Sequence, residues 1–149
     1  MKTAVWITID KTAWGPGAWQ EEPDKKQWPD AATGLPCLAV RHPEYGHWCG
    51  YVGVPEGHPS FGAPYDTPDV EVHGSLTFAN RCRPGEDEAH GICHRPEPGE
   101  PDHVWWLGFD CGHIWDLQPG YSARYPEFSR DPDLRYRDLG YVERECADL

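Results

Sequence analysis

The stretch HVWWLGFDCGHIW, residues 103–115, decides how this chain is read. It opens as an apolar run with paired aromatics, the pattern of a buried strand over 103–110. It closes on Asp110, Cys111 and His113, three titratable groups within four residues. Such groups at the end of a buried strand are costly unless something bonds to them, so a functional site is sought there first. Asp110 is expected to orient His113 and fix its tautomer. Cys111 reads either as a thiolate activated by the imidazole or as a small buried hydrophobe. Gly112 equally fits a turn in which Asp110 only caps backbone amides.

Working outward, VEVHGSLTF (70–78) reads as another strand. Alternation would place His73, Ser75 and Thr77 on one face, a row of hydroxyls around an imidazole, and Gly74 marks a close approach of backbone or ligand. The plain alternative is a strand with one solvated face. LPCLAVRH (35–42) and WCGYVGVP (48–55) read as a hairpin around the turn Pro43–Gly46. Residues 1–10 read as a first strand with Val5, Ile7 and Ile9 on one face. Residues 11–34 read as a long irregular segment pinned by Trp14, Trp19 and Trp28, with a helical turn expected after Pro23, and 116–133 as loop with a turn at Pro119-Gly120. A terminal helix over about 134–149 carries Leu139, Val142, Cys146 and Leu149 as a narrow apolar stripe, with Asp131, Asp133 or Asp138 as its cap. That stripe must bury itself on the sheet or on a second copy of the chain. The expected fold is α+β: one domain over 1–149, an antiparallel sheet of about five strands, long Trp/Pro/Gly-rich loops and a C-terminal helix. The excursion over 80–102 is either a lid or a solvated acidic loop.

The net charge of −12 leaves no basic footprint for a nucleic-acid backbone. No run is long enough to span a membrane, and the opening apolar stretch meets Asp10 and Lys11 too soon for a secretory signal. A cytoplasmic location is expected, with the six cysteines mostly reduced. For a metal, zinc or another divalent ion, the tightest supply is Cys82, His90, Cys93 and His94, at spacings that match no common zinc module. Cys111 with His113, or a mixed set of His73, Asp110 and His113, would also serve. The eight tryptophans exceed what a core of this size needs. Trp105 and Trp106 face opposite sides of their strand, and Trp105 is assigned to a ligand surface where a base ring would stack.

The blocks EPDKKQW, TGLPCL, CGYVGVP, VHGSLTF and WWLGFDCGH resemble a family of small, acidic, uncharacterised proteins encoded by tailed phages and prophages. The likeness runs from Trp19 to the terminal helix. It implies an accessory protein working in the cytoplasm of an infected bacterial cell, and it brings no catalytic residues with it. Members of that family carry a second Gly where this chain has Ser75, which implies tight backbone there.

Three functions compete. The first is a binder that sequesters a nucleotide-like ligand, such as a defence signal, through His73, Ser75, Thr77, Trp105, Asp110, Cys111 and His113, at a pocket that a homo-oligomer boundary would complete. The second is a small hydrolase or nucleotide-modifying enzyme using His73, Asp110 and His113, with or without a metal. The third is an acidic decoy for a host protein, for which the acids are too interleaved with Pro, Gly and Arg.

Overall fold

A computed structural model describes residues 1–83 and 85–149. The fold is α+β. Six strands form one antiparallel sheet: β1 (Ala4–Trp6), β2 (Lys25–Pro29), β3 (Pro36–Arg41), β4 (Trp48–Pro55), β5 (Phe78–Arg81) and β6 (Val104–Asp110), in the order β1-β2-β3-β4-β6-β5. The apolar run at 103–110 is a central strand, as its composition requires. β6 pairs with β4 along its whole length, from Pro55↔Val104 to Cys49↔Asp110. The hairpin of β3 and β4 also forms where the sequence expects it.

Each face of the sheet has its own cover. On one face Cys37, Ala39, Trp48, Val52, Phe109 and Cys111 pack against Val142 and Cys146 of α2 (Leu139–Asp148). That helix begins five residues later than expected. Asp138 is its N-cap, with the side chain accepting from the Tyr141 N–H at 2.7 Å, a contact that contributes about 1 kcal/mol. Residues 134–138 run extended instead, bridging Arg135 to Asp116. On the other face Leu38, Val104 and Trp106 are covered by Ile92 and its neighbours. The excursion after β5 is therefore neither lid nor free loop. Lys25 is fully buried, and its ammonium donates to the carbonyls of Glu88, Gly91 and Cys93 at 2.6, 2.6 and 2.8 Å. Burial, the dominant influence, draws the Lys25 ammonium down to about 8. These bonds explain how KKQWP makes an interior strand despite a polar sequence: the ammonium receives three acceptors in place of water.

Three further expectations give way. Residues 70–77 are not a strand. Gly74 (φ 66°) and Ser75 (φ 70°) both take the left-handed conformation, and the Ser75 N–H bonds back to the Val72 carbonyl. Val5 and Ile7 face solvent, 56% and 78% exposed, because β1 turns Ala4 and Trp6 inward instead. Within 116–133 a short helix α1 (Pro119–Arg124) starts at the Pro119-Gly120 pair in place of the expected turn; proline suits the first helical position, where no N–H is needed.

Candidate functional site

The end of β6 delivers the chain into a tight turn, Cys111–Asp116, under the start of α2. Asp110 stays beside the last β4 pair and accepts from the Gly112 N–H at 2.9 Å and from the Thr77 hydroxyl at 3.2 Å. Its role is the capping one. The carboxylate that orients the imidazoles is Asp116, whose side chain is wholly buried. One oxygen, Oδ2, accepts from His73 Nε2 at 2.8 Å, from His113 Nδ1 at 2.9 Å and from the His113 backbone N–H at 3.1 Å. The other, Oδ1, accepts from Arg137 Nε at 3.2 Å. Burial pushes the Asp116 carboxyl up, but the bonds from His73 and His113 outweigh it and hold the group below the usual carboxylate value.

Three segments meet here. The 73–75 turn is held from α2: Glu145 accepts from the His73 N–H at 2.6 Å, and the Tyr141 hydroxyl lies 2.8 Å from His73 Nδ1. Gly74 lets that turn lie flat on the second imidazole, since a Cβ at this position would sit 2.2 Å from His113 Cε1. The His113 ring stacks on Trp115, with centroids 4.8 Å apart and planes 3° from parallel, and meets the His73 ring edge-on. His113 Nε2 makes no hydrogen bond to the described residues; its nearest carboxylate is Asp110, with Oδ1 4.0 Å away. In a neutral ring with Nδ1–H pinned to Asp116, Nε2 carries the lone pair.

His113 and Asp116 form one wall of a cleft of about 340 Å³, otherwise lined by Gly112, Ile114, Gln118, Tyr121, Ser122, Phe128 and Leu134. Ile114, Trp115 and Phe128 stand exposed around it. Behind it lies His47, buried, with Nδ1 unpartnered and the imidazole drawn down to about 4 by burial first and His42 second.

Of the residues singled out in the sequence, His73 and His113 converge, and Asp110 lies alongside. Thr77 bonds Asp110, and Ser75 occupies the exposed turn beside His73. Trp105 does not line this cleft: near the far end of β6, its indole N–H donates to the Ala63 carbonyl. Cys111 is 2% exposed and its thiol is pushed well up by burial, so it is core and not an activated nucleophile. The cysteine-histidine metal set also fails to assemble. Cys82 and Cys93 form a disulfide, which leaves Cys37, Cys49, Cys111 and Cys146 as thiols. His90 sits on the surface bonded to Asp87, and His94 packs edge-on against Trp106. Among the described residues a metal could be held by His73, His113 and Asp116, or, once the disulfide is opened, by Cys82, Glu86 and Cys93.

Asp116, Arg137, Tyr141 and Glu145 were not foreseen. The sequence carries a signal for each. His113-x-x-Asp116 within a turn lets a ring nitrogen reach the carboxylate, Tyr141 and Glu145 stand four apart on one edge of α2, and Arg137 lies just ahead of that helix's cap.

Fold and site together define an antiparallel α+β protein with a carboxylate-bridged histidine pair, of which His113 and the bridging Asp116 line an open cleft. Comparison with family models, with curated proteins and with solved structures finds no match to the chain.

Proposed function

We propose that this protein captures a small nucleotide-like molecule in the cleft beside α1 and performs acid–base chemistry on it, as a small hydrolase. The observation that carries this reading is that Asp116 holds both the buried His73 and the cleft-lining His113 while leaving His113 Nε2 without a hydrogen bond to the described residues. A carboxylate-oriented imidazole with a free lone pair is the usual equipment for moving a proton to or from a bound water or leaving group. Tyr121 and Phe128 supply flat apolar surface for a ring, and Gln118 and Ser122 supply the few polar contacts such sites use. The cleft lies within the size range of small-molecule sites. The resemblance to phage-encoded proteins supports a setting in the cytoplasm of an infected cell, with a host signalling nucleotide as the target.

One observation favours a second reading, sequestration without chemistry: the burial of Cys111 in the core removes the thiol nucleophile that the sequence offered. Incubation with a panel of mono-, di- and cyclic nucleotides, followed by heat release and chromatography, separates the two. The hydrolase returns a product, and His113→Ala abolishes turnover while the ligand still binds. Intact ligand from the wild-type chain establishes sequestration, and no binding by any member of the panel ends the nucleotide reading.

A further inference from the structure

We infer that His73 Nε2, His113 Nδ1 and Asp116 Oδ2 form a binding site for one divalent first-row transition ion, of which zinc is the natural probe. The inference uses the wall of the cleft described above but does not depend on which ligand the cleft takes.

The argument starts from the donor set. Two imidazole nitrogens and one carboxylate oxygen from three places in the chain present ligand atoms that all lie within 4.8 Å of one another. The two nitrogen-to-oxygen separations are 2.8 and 2.9 Å. Metal–ligand bonds of about 2.0–2.2 Å place neighbouring ligand atoms about 3 Å apart at octahedral angles and about 3.4 Å apart at the tetrahedral angles zinc prefers. The three atoms therefore need to open only slightly around an ion. Two nitrogens and one oxygen suit zinc, manganese or iron and leave positions open for water or ligand, the pattern of reactive rather than structural sites. Asp116 and His113 both line the cleft, so the open positions have a route to solvent.

The surrounding groups fit the ion as well as the protons it would replace. A metal-bound imidazole passes its proton to the distal nitrogen and needs an acceptor there. For His73 that nitrogen is Nδ1, with the Tyr141 hydroxyl oxygen at 2.8 Å. For His113 it is Nε2, with Asp110 Oδ1 at 4.0 Å, where a small ring rotation completes a bond. Asp110 thus gains a reason to sit at the end of β6. Arg137 holds the other oxygen of Asp116 and fixes the carboxylate's orientation.

The test is titration of chelator-stripped, disulfide-intact protein with zinc and, in parallel, with cobalt(II). One ion per chain is expected, with a visible cobalt spectrum. Nitrogen-15 spectra of the histidine side chains should show two rings metallated, one through Nε2 and one through Nδ1. His73→Asn and His113→Asn should each remove the ion. Tyr141→Phe, which keeps all three ligands, should weaken affinity about tenfold to a hundredfold. The imidazole spectra are read on the wild-type chain, so the result stands even where a ligand variant fails to fold. No ion taken up, or uptake that leaves the spectra of His73 and His113 unchanged, overturns the site. A chain that binds zinc but no nucleotide keeps this inference and loses the function proposed above; one that turns over nucleotide but takes up no ion does the reverse.

Discussion

Two buried polar clusters hang from the C-terminal segment, and they differ in what they leave over. The first joins Glu22, Asp24, Lys11, Arg41 and Tyr136. Lys11 reaches Asp24 at 2.8 Å, and Arg41 donates to the Gly46 carbonyl and the Tyr136 hydroxyl while lying 4.1 Å over the Trp48 ring. Glu22 accepts from the Tyr136 hydroxyl, the Trp48 indole and the Leu139 N–H, which ties the 3₁₀ turn at Ala18–Gln20 to the start of α2. Arg41 Nε stands 3.2 Å from Asp24 Oδ1 without a well-aligned hydrogen bond, and the charges otherwise answer one another. The second cluster, around Asp116, keeps one imidazole nitrogen unspent and opens on a cleft. Burial and charge alone do not mark a site; a leftover donor or acceptor beside open space does.

The largest expected effect breaks the first cluster. Asp24→Ala leaves Lys11 as an uncompensated buried charge, leaves Arg41 with Glu22 at 3.8 Å as its carboxylate, and orphans the Thr8 and Ile9 amides. Removing one partner of such a pair costs about 3–5 kcal/mol, read as a fall in the urea midpoint. The Asp24 carboxyl is held below 3.8, since the bonds from Lys11, Ile9 and Thr8 overcome burial. Its stabilisation is therefore complete above pH 4 and fades as acid protonates the folded form. Ligand binding by whatever fraction remains folded should be normal, because nothing in this cluster lines the cleft.

His47 links the two regions and gives the next effect. Its folded value is near 4, against 6.5 when unfolded. Between those limits the unfolded chain takes up a proton and the folded chain does not, so stability falls as pH drops from 6.5 to 4. A shift of this size corresponds to about 3 kcal/mol at the acid end. His47→Gln should flatten that part of the pH profile. An unchanged slope would mean that other groups carry the acid sensitivity.

How much of this could be read in the sequence depends on what the signal rests on. The central strand, the β3–β4 hairpin and the helix stripe rest on apolar periodicity, and all three formed. β2 was invisible because Lys25 and Gln27 are buried by partners more than sixty residues away. The 70–78 segment looked like a strand because Val70, Val72, Leu76 and Phe78 alternate, yet the left-handed Gly74-Ser75 pair breaks the pairing. At the site, the imidazoles were legible from their position beside glycines. Their carboxylate was not: Asp110 is nearer a strand end in sequence, and only the turn at 111–116 brings Asp116 beneath both rings.

Gly74 offers a cleaner cut within the second cluster. Gly57 and Gly74 both have positive φ, 91° and 66°. Nothing lies within 4 Å of a Cβ at Gly57, so alanine there costs about 1–2 kcal/mol, from the left-handed backbone alone. At Gly74 the same methyl would overlap the His113 ring, bringing the total to about 2–4 kcal/mol as the ring is displaced. Gly74→Ala should therefore lose zinc and turnover together, and Gly57→Ala should lose neither. Equal behaviour of the two variants would place the functional groups elsewhere.

The smallest effect sharpens the contrast from outside. By composition, the 82–94 segment was the richer source of metal ligands. Its His90 bonds only Asp87, and both side chains are about two-thirds exposed, at 63% and 65%. Water competes for each of those groups, and a pair so exposed contributes next to nothing. His90→Ala should leave the melting temperature, the zinc stoichiometry and the histidine spectra of the Asp116 cluster as they are. A drop in stoichiometry would mean that the exposed segment captures the ion, and would move the metal from the cleft to the opposite face of the sheet.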